Sequence, residues 1–554
     1  MLESAAGITR FLEDTAIAAP AANPAGAELA ARCMDQFSST FDSTAGGFGG
    51  GPKFPRPAVF HFLLRHFARE QDERALAMTT QTLRAMAAGG MYDQLGGGFH
   101  RYAVDANWRI PHFEKMLYDQ AQLVESFLET YQATHNTFFA GMARETIEYV
   151  LRDLTSPEGA FYSAEDADSP VPENPSESGE GAFYLWTASE IRSGLGDDAQ
   201  LFSAYFGVAE SGNAPFDPQG EFTGRNILDR PLSLEDVARQ FGLTPAEAAT
   251  RIARARSVML ELRYRRQRPI RDDKVIAGWN GLMIGACAQA GRILEYVPYL
   301  NAAERAAEFV LGAMRDSSNG RLLRRYRDKD GRYEGQLTDH AFLVSGLLDL
   351  YEATGIARWL KSAASLTEEQ IARFYDRAQG GFFDTPGDDA SIIVRMKERN
   401  DGAEPSGNSV ACRNLIRLAH MLDRPEWMKL AEETVAQFSG MLALQPIALP
   451  YLASAATFLS SPPSQVVFAG SKKEREEAKF PSIVARRFLP NTVFFYTDCG
   501  KECEDLAALN PFFSEMTTRG GKATVYVCRN FVCELPATTA EELAVQLDRP
   551  MTRP

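Results

Sequence analysis

The sequence predicts a mainly helical protein whose helices close into an (α/α)6 toroid, followed by a small α/β domain at the C-terminal end. Three observations predict this fold class. Apolar residues follow a helical period almost throughout residues 25–460, glycine-rich turns with an aromatic residue recur between the helices, and β-branched and aromatic runs begin after Pro463.

The helical period is clearest in the stretch HFEKMLYDQAQLVESFLETYQAT, from His112 to Thr134. Its apolar side chains recur at spacings of three and four residues, and Gln120 alone interrupts them. This spacing places them on one stripe of a helix. The stretch is therefore predicted to be an amphipathic helix that packs against its neighbours.

Glycine and aromatic turns separate the helices in residues 42–54, 92–102, 156–169, 316–328 and 375–389. Each turn leads through a polar loop into a new helix, and the predicted starts lie near Pro57, Pro111, Thr187, Trp279, Leu337 and Pro405. One helix pair per interval indicates about six hairpins, with residues 448–460 as an alternative source of the last helix. The hairpins either stack as an open solenoid or close into a ring, and polar loops of unequal length on one side favour the ring.

The segments VVFAG, NTVFFYT and ATVYVCRNFVC predict strands after Pro463, and the segments between them predict helices. They contain neither a dinucleotide-binding fingerprint nor a P-loop, so nothing in them indicates nucleotide binding. The expected division is an N-terminal helix and linker in residues 1–25, the toroid in residues 26–462, and the α/β domain in residues 463–554.

Composition limits the classes of function. Hydrophobic residues make up 45% of the chain and charged residues 24%, and no window approaches the roughly 20 apolar residues of a membrane helix. The formal net charge of −15 opposes a nucleic-acid partner. The first residues carry acidic side chains, so no secretion signal is expected. The sequence does not specify an oligomeric state.

The seven cysteines are odd in number and widely spaced, and no C-x-x-C occurs, which predicts small reduced residues in a cytoplasmic protein. The spacings among Cys499, Cys503, Cys528 and Cys533 depart from those of zinc sites. We therefore expect neither a metal nor another cofactor.

Residues with functional chemistry concentrate in the loops that precede the predicted helices. If these loops share one rim of the toroid, their side chains converge there. Carboxylates and histidines transfer protons near neutral pH, and aromatic faces beside carboxylate and amide groups suit a polyhydroxylated ligand. The predicted partner is therefore a sugar-like small molecule. The candidates for substrate binding are His100, Arg101, Trp108, Glu114, Asp119, Trp186, Lys274, Trp279, Asn280 and Glu404, and those for catalysis are His112, His340, Asp339, Glu165 and Asp168.

Structural roles explain some candidates equally well. Glu114 suits a helix N-terminus, and Asp339 suits a helix cap. His112 and Asp119 are seven residues apart, or about 10 Å along a helix, so each needs another partner. His340 opens an otherwise apolar helix and needs a polar partner wherever it points.

Several motifs resemble the spermatogenesis-associated protein 20 family over nearly the whole chain from about residue 27. They include GGFGGGPKFPRP, GGGFHRYAVDANWRIPHFEKMLYDQAQL, GAFYSAEDADS, DDKVIAGWNGLMI, LTDHAFLVSGLLDLYEATG and YVCRNFVC. The resemblance implies an (α/α)6 toroid of the six-hairpin glycosidase superfamily, similar to N-acylglucosamine 2-epimerases. The family normally begins with a thioredoxin-like domain, and this chain is expected to start where that domain would end, as a natural or trimmed short form.

The leading hypothesis for function is a sugar-active enzyme of the epimerase or isomerase type. Epimerases of the similar fold use two histidines as base and acid, and His112 with His340 are the candidates by position. Arg101 or Lys274 would stabilise the enolate that forms when the proton leaves.

Two alternatives stay open. In a glycoside hydrolase, Asp339 would pair with Glu165 or Asp168 across the glycosidic bond. A toroid that only binds a carbohydrate or a protein is the second alternative, because a fold does not fix a function. A redox role would require a catalytic dithiol that the sequence lacks.

Overall fold

The computed structural model describes Gly7 and residues 26–549, except residues 215–216, 218–219, 221, 390, 498–503, 505, 508–509 and 531. None of the described helices is both long and apolar enough to cross a membrane. The helices are α1 Gly26–Thr40, α2 Pro57–Glu70, α3 Glu73–Ala88, α4 Leu117–Thr134, α5 Thr137–Asp153, α6 Ala188–Leu195, α7 Ala199–Tyr205, α8 Leu234–Gln240, α9 Pro245–Arg263, α10 Ala277–Ile293, α11 Val297–Ala313, α12 Leu337–Thr354, α13 Ala357–Phe374, α14 Gly407–Leu422, α15 Pro425–Gln437, α16 Ser439–Leu444, α17 Pro450–Leu459, α18 Lys472–Glu477, α19 Phe480–Ala485, α20 Phe512–Glu515 and α21 Ala540–Leu547.

Short strands connect the helices at one end of the molecule, and a longer set forms the C-terminal sheet. The strands are β1 Tyr102–Ala103, β2 Pro111–His112, β3 Lys115–Met116, β4 Ala164–Glu165, β5 Asp168–Val171, β6 Asn174–Glu180, β7 Arg271–Asp272, β8 Val275–Ile276, β9 Leu323–Arg327, β10 Asp330–Glu334, β11 Ser464–Ala469, β12 Thr492–Tyr496, β13 Thr524–Arg529 and β14 Val532–Cys533. The helix predicted from Pro111 begins only at Leu117 because β2 and β3 precede it.

Six helices form a closed inner wall. They pack in the order α2, α4, α10, α12, α14 and α17, and α17 packs back against α2. The outer helices α3, α5, α11, α13 and α15 each cover the inner helix that precedes them, and α1 covers α17. The predicted (α/α)6 toroid is therefore confirmed, and the closed ring replaces the open solenoid.

The tightest crossing in the wall joins α10 and α12. A Cβ atom built on Gly346 would lie 2.1 Å from the backbone oxygen of Gly281, and one on Gly281 would lie 2.5 Å from the backbone nitrogen of Leu343. Because no side chain fits in this space, the two glycines allow the backbones to meet.

The glycine and aromatic turns share one geometry. Each folds back on itself through one antiparallel bridge, and the bridges are Phe41 with Phe48, Tyr92 with Phe99, Thr155 with Phe161, Arg315 with Leu322, and Tyr375 with Phe382. The turns carry glycines at positive φ, such as Gly97 at 78°, where a side chain would be strained.

Amide side chains from the next inner helix clamp three of these turns. Gln120 Oε1 accepts from the Phe99 backbone N–H at 2.7 Å, and its Nε2 donates to the same residue's oxygen at 2.8 Å. Asn280 makes the same pair of bonds to Phe161, at 2.8 and 2.9 Å. A third clamp joins Asn408 to Phe382. This repetition explains the polar residues in the first turns of apolar helices.

An inserted helical unit lies between α5 and α10. Helices α6 to α9 pack around their own apolar cluster, which includes Phe202 and Met259. The predicted ring helix near Thr187 is therefore wrong, since Thr187 caps α6 of this unit. The sixth inner helix is α17, the segment that the sequence offered as the alternative.

The C-terminal sheet has the strand order β12-β11-β13-β14, with β11 and β12 parallel and the other pairs antiparallel. It packs against the C-terminal ends of the inner helices, where Tyr496 donates a hydrogen bond to the backbone oxygen of Glu352 at 2.7 Å. Cys528 and Cys533 form a disulfide across β13 and β14, which corrects the expectation of free cysteines. The predicted boundary between residues 462 and 463 stays a prediction, and residues 1–25 lie outside the described residues apart from Gly7.

Candidate functional site

The open end of the toroid is formed by the N-terminal ends of the inner helices and the loops before them. A buried ion cluster supports this end: Lys115 donates to Asp93 at 2.8 Å, and Arg263 donates to the same carboxylate at 2.7 and 2.8 Å. The two cations hold the pKa of Asp93 well below its usual range despite burial. This cluster fixes the Gly96–Glu114 segment from below.

A chain of ionic contacts runs along the rim above that cluster. Arg101 Nη1 lies 2.8 Å from Glu114 Oε2, and His112 Nε2 lies 3.5 Å from the same oxygen. His112 Nδ1 lies 2.7 Å from Glu180 Oε1. Hydrogen bonds to Glu114 and Glu180 raise the pKa of His112 to about 9, so the imidazole is a cation at neutral pH.

Aromatic rings continue this chain outward. Tyr102 stacks on His112 with ring centroids 5.1 Å apart, and Phe54 stacks on Tyr102 at 4.7 Å. The pairing of β1 with β2 sets the first stack, because it places Tyr102 opposite His112. Phe54 is 44% exposed, so the stack presents an apolar face to solvent beside charged groups.

The second half of the site centres on Glu404, in the loop before α14. Trp279 Nε1 donates to Glu404 Oε1 at 2.8 Å, and Tyr118 packs edge-on against Trp279 with centroids 5.0 Å apart. Burial raises the pKa of Glu404 to about 7, and the charge of Asp339 adds to the effect. The carboxyl group is therefore poised to hold or release a proton near neutral pH.

Asp119 is the second carboxyl group of this half, in the first turn of α4. It is 2% exposed, and its Oδ2 atom has no hydrogen-bond partner among the described residues. Burial raises the pKa of Asp119 well above its usual value, while Arg101 opposes that shift and Glu404 adds to it. Asp119 therefore lies within electrostatic reach of both Arg101 on the rim and Glu404.

Asp339 fixes the wall behind Glu404. Its Oδ2 accepts from Arg324 Nη1 at 2.8 Å and from the Gln336 backbone N–H at 2.9 Å, and its Oδ1 accepts from the Gly278 N–H at 3.1 Å. These three bonds tie α10, α12 and β9 together. Asp339 therefore acts as the cap that the sequence allowed, with its negative charge close to Glu404.

His340, proposed as a catalytic residue, does not face the mouth. Its side chain has no exposed surface, Nδ1 lies 2.9 Å from the Gln336 backbone oxygen, and Nε2 lies 3.2 Å from Glu369 of the outer helix α13. It packs on Phe374 at the end of α13. His340 lies between inner and outer helices because it follows Asp339 by one position, about 100° around the helix.

Five further candidates are also committed to structural contacts. His100 is buried with Nδ1 2.8 Å from the Phe113 oxygen, and burial lowers its pKa to about 3. Glu165 accepts from Tyr149 at 2.7 Å and from Arg268 at 2.6 Å. The other three are buried. Trp108 donates to the Gly46 backbone oxygen, Trp186 stacks with the Arg266 guanidinium, and Asn280 clamps the turn at Phe161.

Two candidates lie at the outer edge of the mouth. Asp168 lies on β5 and is largely exposed. The partial burial of its carboxyl group, together with the negative charges of Asp166 and Glu180, raises its pKa. Lys274 pairs with Asp272 at 2.6 Å. The structure thus brings together Arg101, His112, Glu114, Asp119, Trp279, Asp339 and Glu404.

Sequence reasoning missed Tyr118, Tyr102 and Phe54. Tyr118 lies in an apolar helical row, where an aromatic residue indicates core packing, and Tyr102 and Phe54 meet only through the fold. The sequence showed Glu180 as a charged residue three positions before Phe183, but it did not show that Glu180 pairs with His112. Among the described residues, no group of three His, Cys, Asp or Glu side chains could hold a metal ion.

The fold and the mouth together define a helical toroid with two carboxyl groups of raised pKa at its open end, Asp119 and Glu404, and a charged, aromatic rim. The human spermatogenesis-associated protein 20 is 36% identical over 545 residues, covering 94% of this chain and 69% of the relative. An uncharacterised protein of Caenorhabditis elegans is 35% identical, covering 91% and 71%. The chain belongs to the spermatogenesis-associated protein 20 family.

Solved structures resemble the chain at low sequence identity. A cellobiose 2-epimerase from Bacillus thermoamylovorans has a TM-score of 0.45 at 9% identity, with 73% of this chain and 85% of that chain covered. An α-mannanase from Bacteroides thetaiotaomicron has a TM-score of 0.44 at 9% identity, covering 78% and 95%. No model of a known protein family matches the sequence.

Proposed function

We propose that the mouth of the toroid is the active site of a sugar-active enzyme that works by general acid–base catalysis. Glu404 is the proton donor, and Asp119 is the second carboxyl group. The observation that carries the proposal is that two carboxyl groups of raised pKa, the buried Asp119 and the half-buried Glu404, lie at the open end of the barrel; the pKa of Glu404 is raised to about 7, and its charge adds to the rise in the pKa of Asp119.

A general acid works best when its pKa lies near the operating pH, because it is then both protonated and able to give up the proton. Burial supplies this property to Glu404, since one indole N–H from Trp279 does not offset the loss of water. Asp119 Oδ2 is buried and has no hydrogen-bond partner among the described residues, so no structural hydrogen bond commits this oxygen.

The surroundings of the pair suit a sugar ring. Trp279 offers a partly exposed aromatic surface, and Arg101 and Glu114 offer groups that bind hydroxyls. The outer stack of Phe54 on Tyr102 extends the apolar face to solvent. This combination favours a polyhydroxylated substrate over a purely apolar or a highly anionic one.

The carboxyl pair supports glycoside hydrolysis as the reaction. Glu404 would protonate the departing oxygen, and Asp119 would act as the base or nucleophile at the sugar carbon after giving up the proton that its raised pKa lets it hold. A mechanism with two histidines has less support, because both ring nitrogens of His340 are engaged, one by the Gln336 backbone oxygen and the other by Glu369 of the outer helix α13. The earlier hydrolase pair is also less suited, because Asp339 and Glu165 already accept structural hydrogen bonds.

The test is a panel of oligosaccharides and free sugars, assayed both for new reducing ends and for exchange of the C2 proton in D2O. We expect new reducing ends, and a loss of kcat/KM of about a hundredfold or more in Glu404→Gln. Glu398→Gln is the matched control, because Glu398 lies exposed on the same loop and its Oε1 accepts from the backbone N–H groups of Arg399 and Asn400.

Proton exchange without cleavage would replace hydrolysis by the epimerase or isomerase reaction at the same site. Binding of sugars without either reaction, measured by calorimetry, would make the mouth a binding site and refute the catalytic role of Glu404. Equal activity of Glu404→Gln and Glu398→Gln would refute it as well.

A further inference from the structure

A polar cavity lies at the end of the barrel axis opposite the mouth, beneath the C-terminal sheet. It has a volume of about 70 Å³, several times the ~10–15 Å³ that one water molecule needs. Residues of the inner helices α2, α4, α10, α12 and α14 form its walls, and Pro490 and Phe494 of the C-terminal domain form its roof. Partly exposed Arg487 and Thr492 also line it.

Arg413 is the unusual residue of this cavity. It is 9% exposed, Nη2 donates to the Pro490 backbone oxygen at 3.0 Å, and Nη1 has no hydrogen-bond partner among the described residues. Burial and the neighbouring Arg65 guanidinium lower the pKa of Arg413 to about 10, so it stays charged at neutral pH. A buried guanidinium with an unbonded N–H is costly unless a further acceptor fills the space.

Three other arginines of the cavity differ from Arg413 in having carboxylate partners. Arg65 pairs with Glu129 at 2.7 Å, and Arg417 pairs with Asp349 at 2.7 Å. A third pair joins Arg487 to Asp548, with 2.7 Å between Nε and Oδ1, at the outer side of the cavity.

Arg292 also lines the cavity and stacks over Phe494 at 5.3 Å. Within the part of the chain that the structure describes, neither Arg292 nor Arg413 has a carboxylate at ion-pair distance. Glu352, which pairs with Arg417 at 3.1 Å, is the third carboxylate of the lining. The cavity therefore holds more positive than negative charge, which favours an anion.

A further acceptor in the wall narrows the class of anion. Oε1 of Glu352 is buried and has no donor among the described residues. Burial raises the pKa of Glu352, and the Arg417 guanidinium opposes that rise. With Glu352 ionised, a ligand that fills the cavity satisfies both groups when it offers acceptor oxygens to Arg413 and one O–H donor to Glu352. Hydrogen phosphate has both kinds of group, whereas sulfate and acetate have only acceptors at neutral pH.

We propose that the cavity between the barrel and the C-terminal sheet binds a small hydroxyl-bearing oxyanion, with Arg413 as its main cation. The ligand is free phosphate or the hydroxyl-bearing oxyanion group of a small metabolite, and both share this chemistry. The site lies at the end of the barrel remote from Glu404 and does not rest on the function proposed for the mouth.

Calorimetry of the whole chain with sodium phosphate at pH 6.5 tests the proposal, with sulfate and acetate titrated at the same ionic strength. We expect phosphate to bind at least tenfold more tightly than either of the others. Arg413→Met should weaken phosphate binding at least tenfold, and Arg239→Met, which removes an exposed arginine from α8, should leave it unchanged. Arg413→Lys keeps the charge and should bind phosphate with intermediate affinity.

The unmodified protein alone decides the outcome if Arg413→Met does not fold. No phosphate binding at 10 mM, or equal affinity for phosphate, sulfate and acetate, would overturn the proposal and leave water as the occupant. Tight binding of a hydroxycarboxylate such as lactate, with weaker binding of phosphate, would support the site and assign the oxyanion to a carboxylate metabolite.

Discussion

Replacing Glu404 by glutamine should make the protein more stable above neutral pH, because the native carboxyl group is held in a site that disfavours its charge. The folded pKa is about 7 and the ordinary value is 4.5, so the folded state binds the proton more tightly. The stabilising effect of this proton is complete below pH 4.5 and is lost as pH rises through 7.

The magnitude follows from the two pKa values. At about 1.4 kcal/mol per pKa unit, ionisation of Glu404 costs roughly 1 kcal/mol of folding stability at pH 5.5 and roughly 3 kcal/mol at pH 8. Glutamine keeps an oxygen that accepts from Trp279 Nε1 and carries no charge. The stability difference between Glu404→Gln and the native protein should therefore grow by about 2 kcal/mol between pH 5.5 and pH 8.

Urea unfolding at the two pH values, monitored by tryptophan fluorescence, measures how the stability difference between the variant and the native protein changes with pH. Glu398→Gln serves as the control for loss of an exposed carboxylate on the same loop. A difference that changes by less than about 0.5 kcal/mol with pH would refute the reasoning, since it would mean that Glu404 ionises as easily in the fold as in the unfolded chain. A gain in stability together with a loss of turnover would be the trade-off expected of a catalytic group.

Three more perturbations test the structure. Trp279→Phe removes the N–H that stabilises ionised Glu404, so the apparent pKa in a pH–rate profile should rise by about one unit. His112→Gln removes a cation whose pKa is about 9. The protonated imidazole stabilises the native protein below pH 6.5, and this contribution is lost as pH rises to 9. The melting temperature of the native protein should therefore fall more over this pH range than that of the variant. Gly346→Ala places a methyl group against Gly281 and should lower the free energy of unfolding by about 1–3 kcal/mol, measured in urea.

The fold could be predicted from the sequence because its signals are local and repeated. Each glycine and aromatic turn has one bridge geometry, and the period of the inner helices is visible in the chain. The error near Thr187 has the same origin, since an amphipathic helix with a capping box has one local signature whether it belongs to the ring or to the inserted unit. Only tertiary contacts separate the two cases.

The site was predicted as a region rather than as a set of roles. The order of residues along a loop indicates the end of the barrel at which they lie, but not whether a side chain points to the axis or into the wall. Asn280 and His340 therefore appeared to be functional, although one clamps a turn and the other bonds to the outer helix. The raised pKa of Glu404 arises from burial by residues far apart in sequence, so no local pattern could predict it.

The two proposed sites lie at opposite ends of the barrel axis, and the distance between them makes the two proposals independent. Asp119 and Asp339 lie in first turns of inner helices, where the helix dipole favours carboxylates, and Arg292 lies in the last turn of α10, where it favours cations. The 17 residues of α10 span about 25 Å, more than twice the distance over which exposed charges interact at physiological salt. Phosphate binding by Glu404→Gln and turnover by Arg413→Met should therefore equal those of the native protein, and a double variant should show both losses without interaction. A loss of turnover in Arg413→Met, with the protein folded, would show instead that the two ends of the barrel are coupled through the helices.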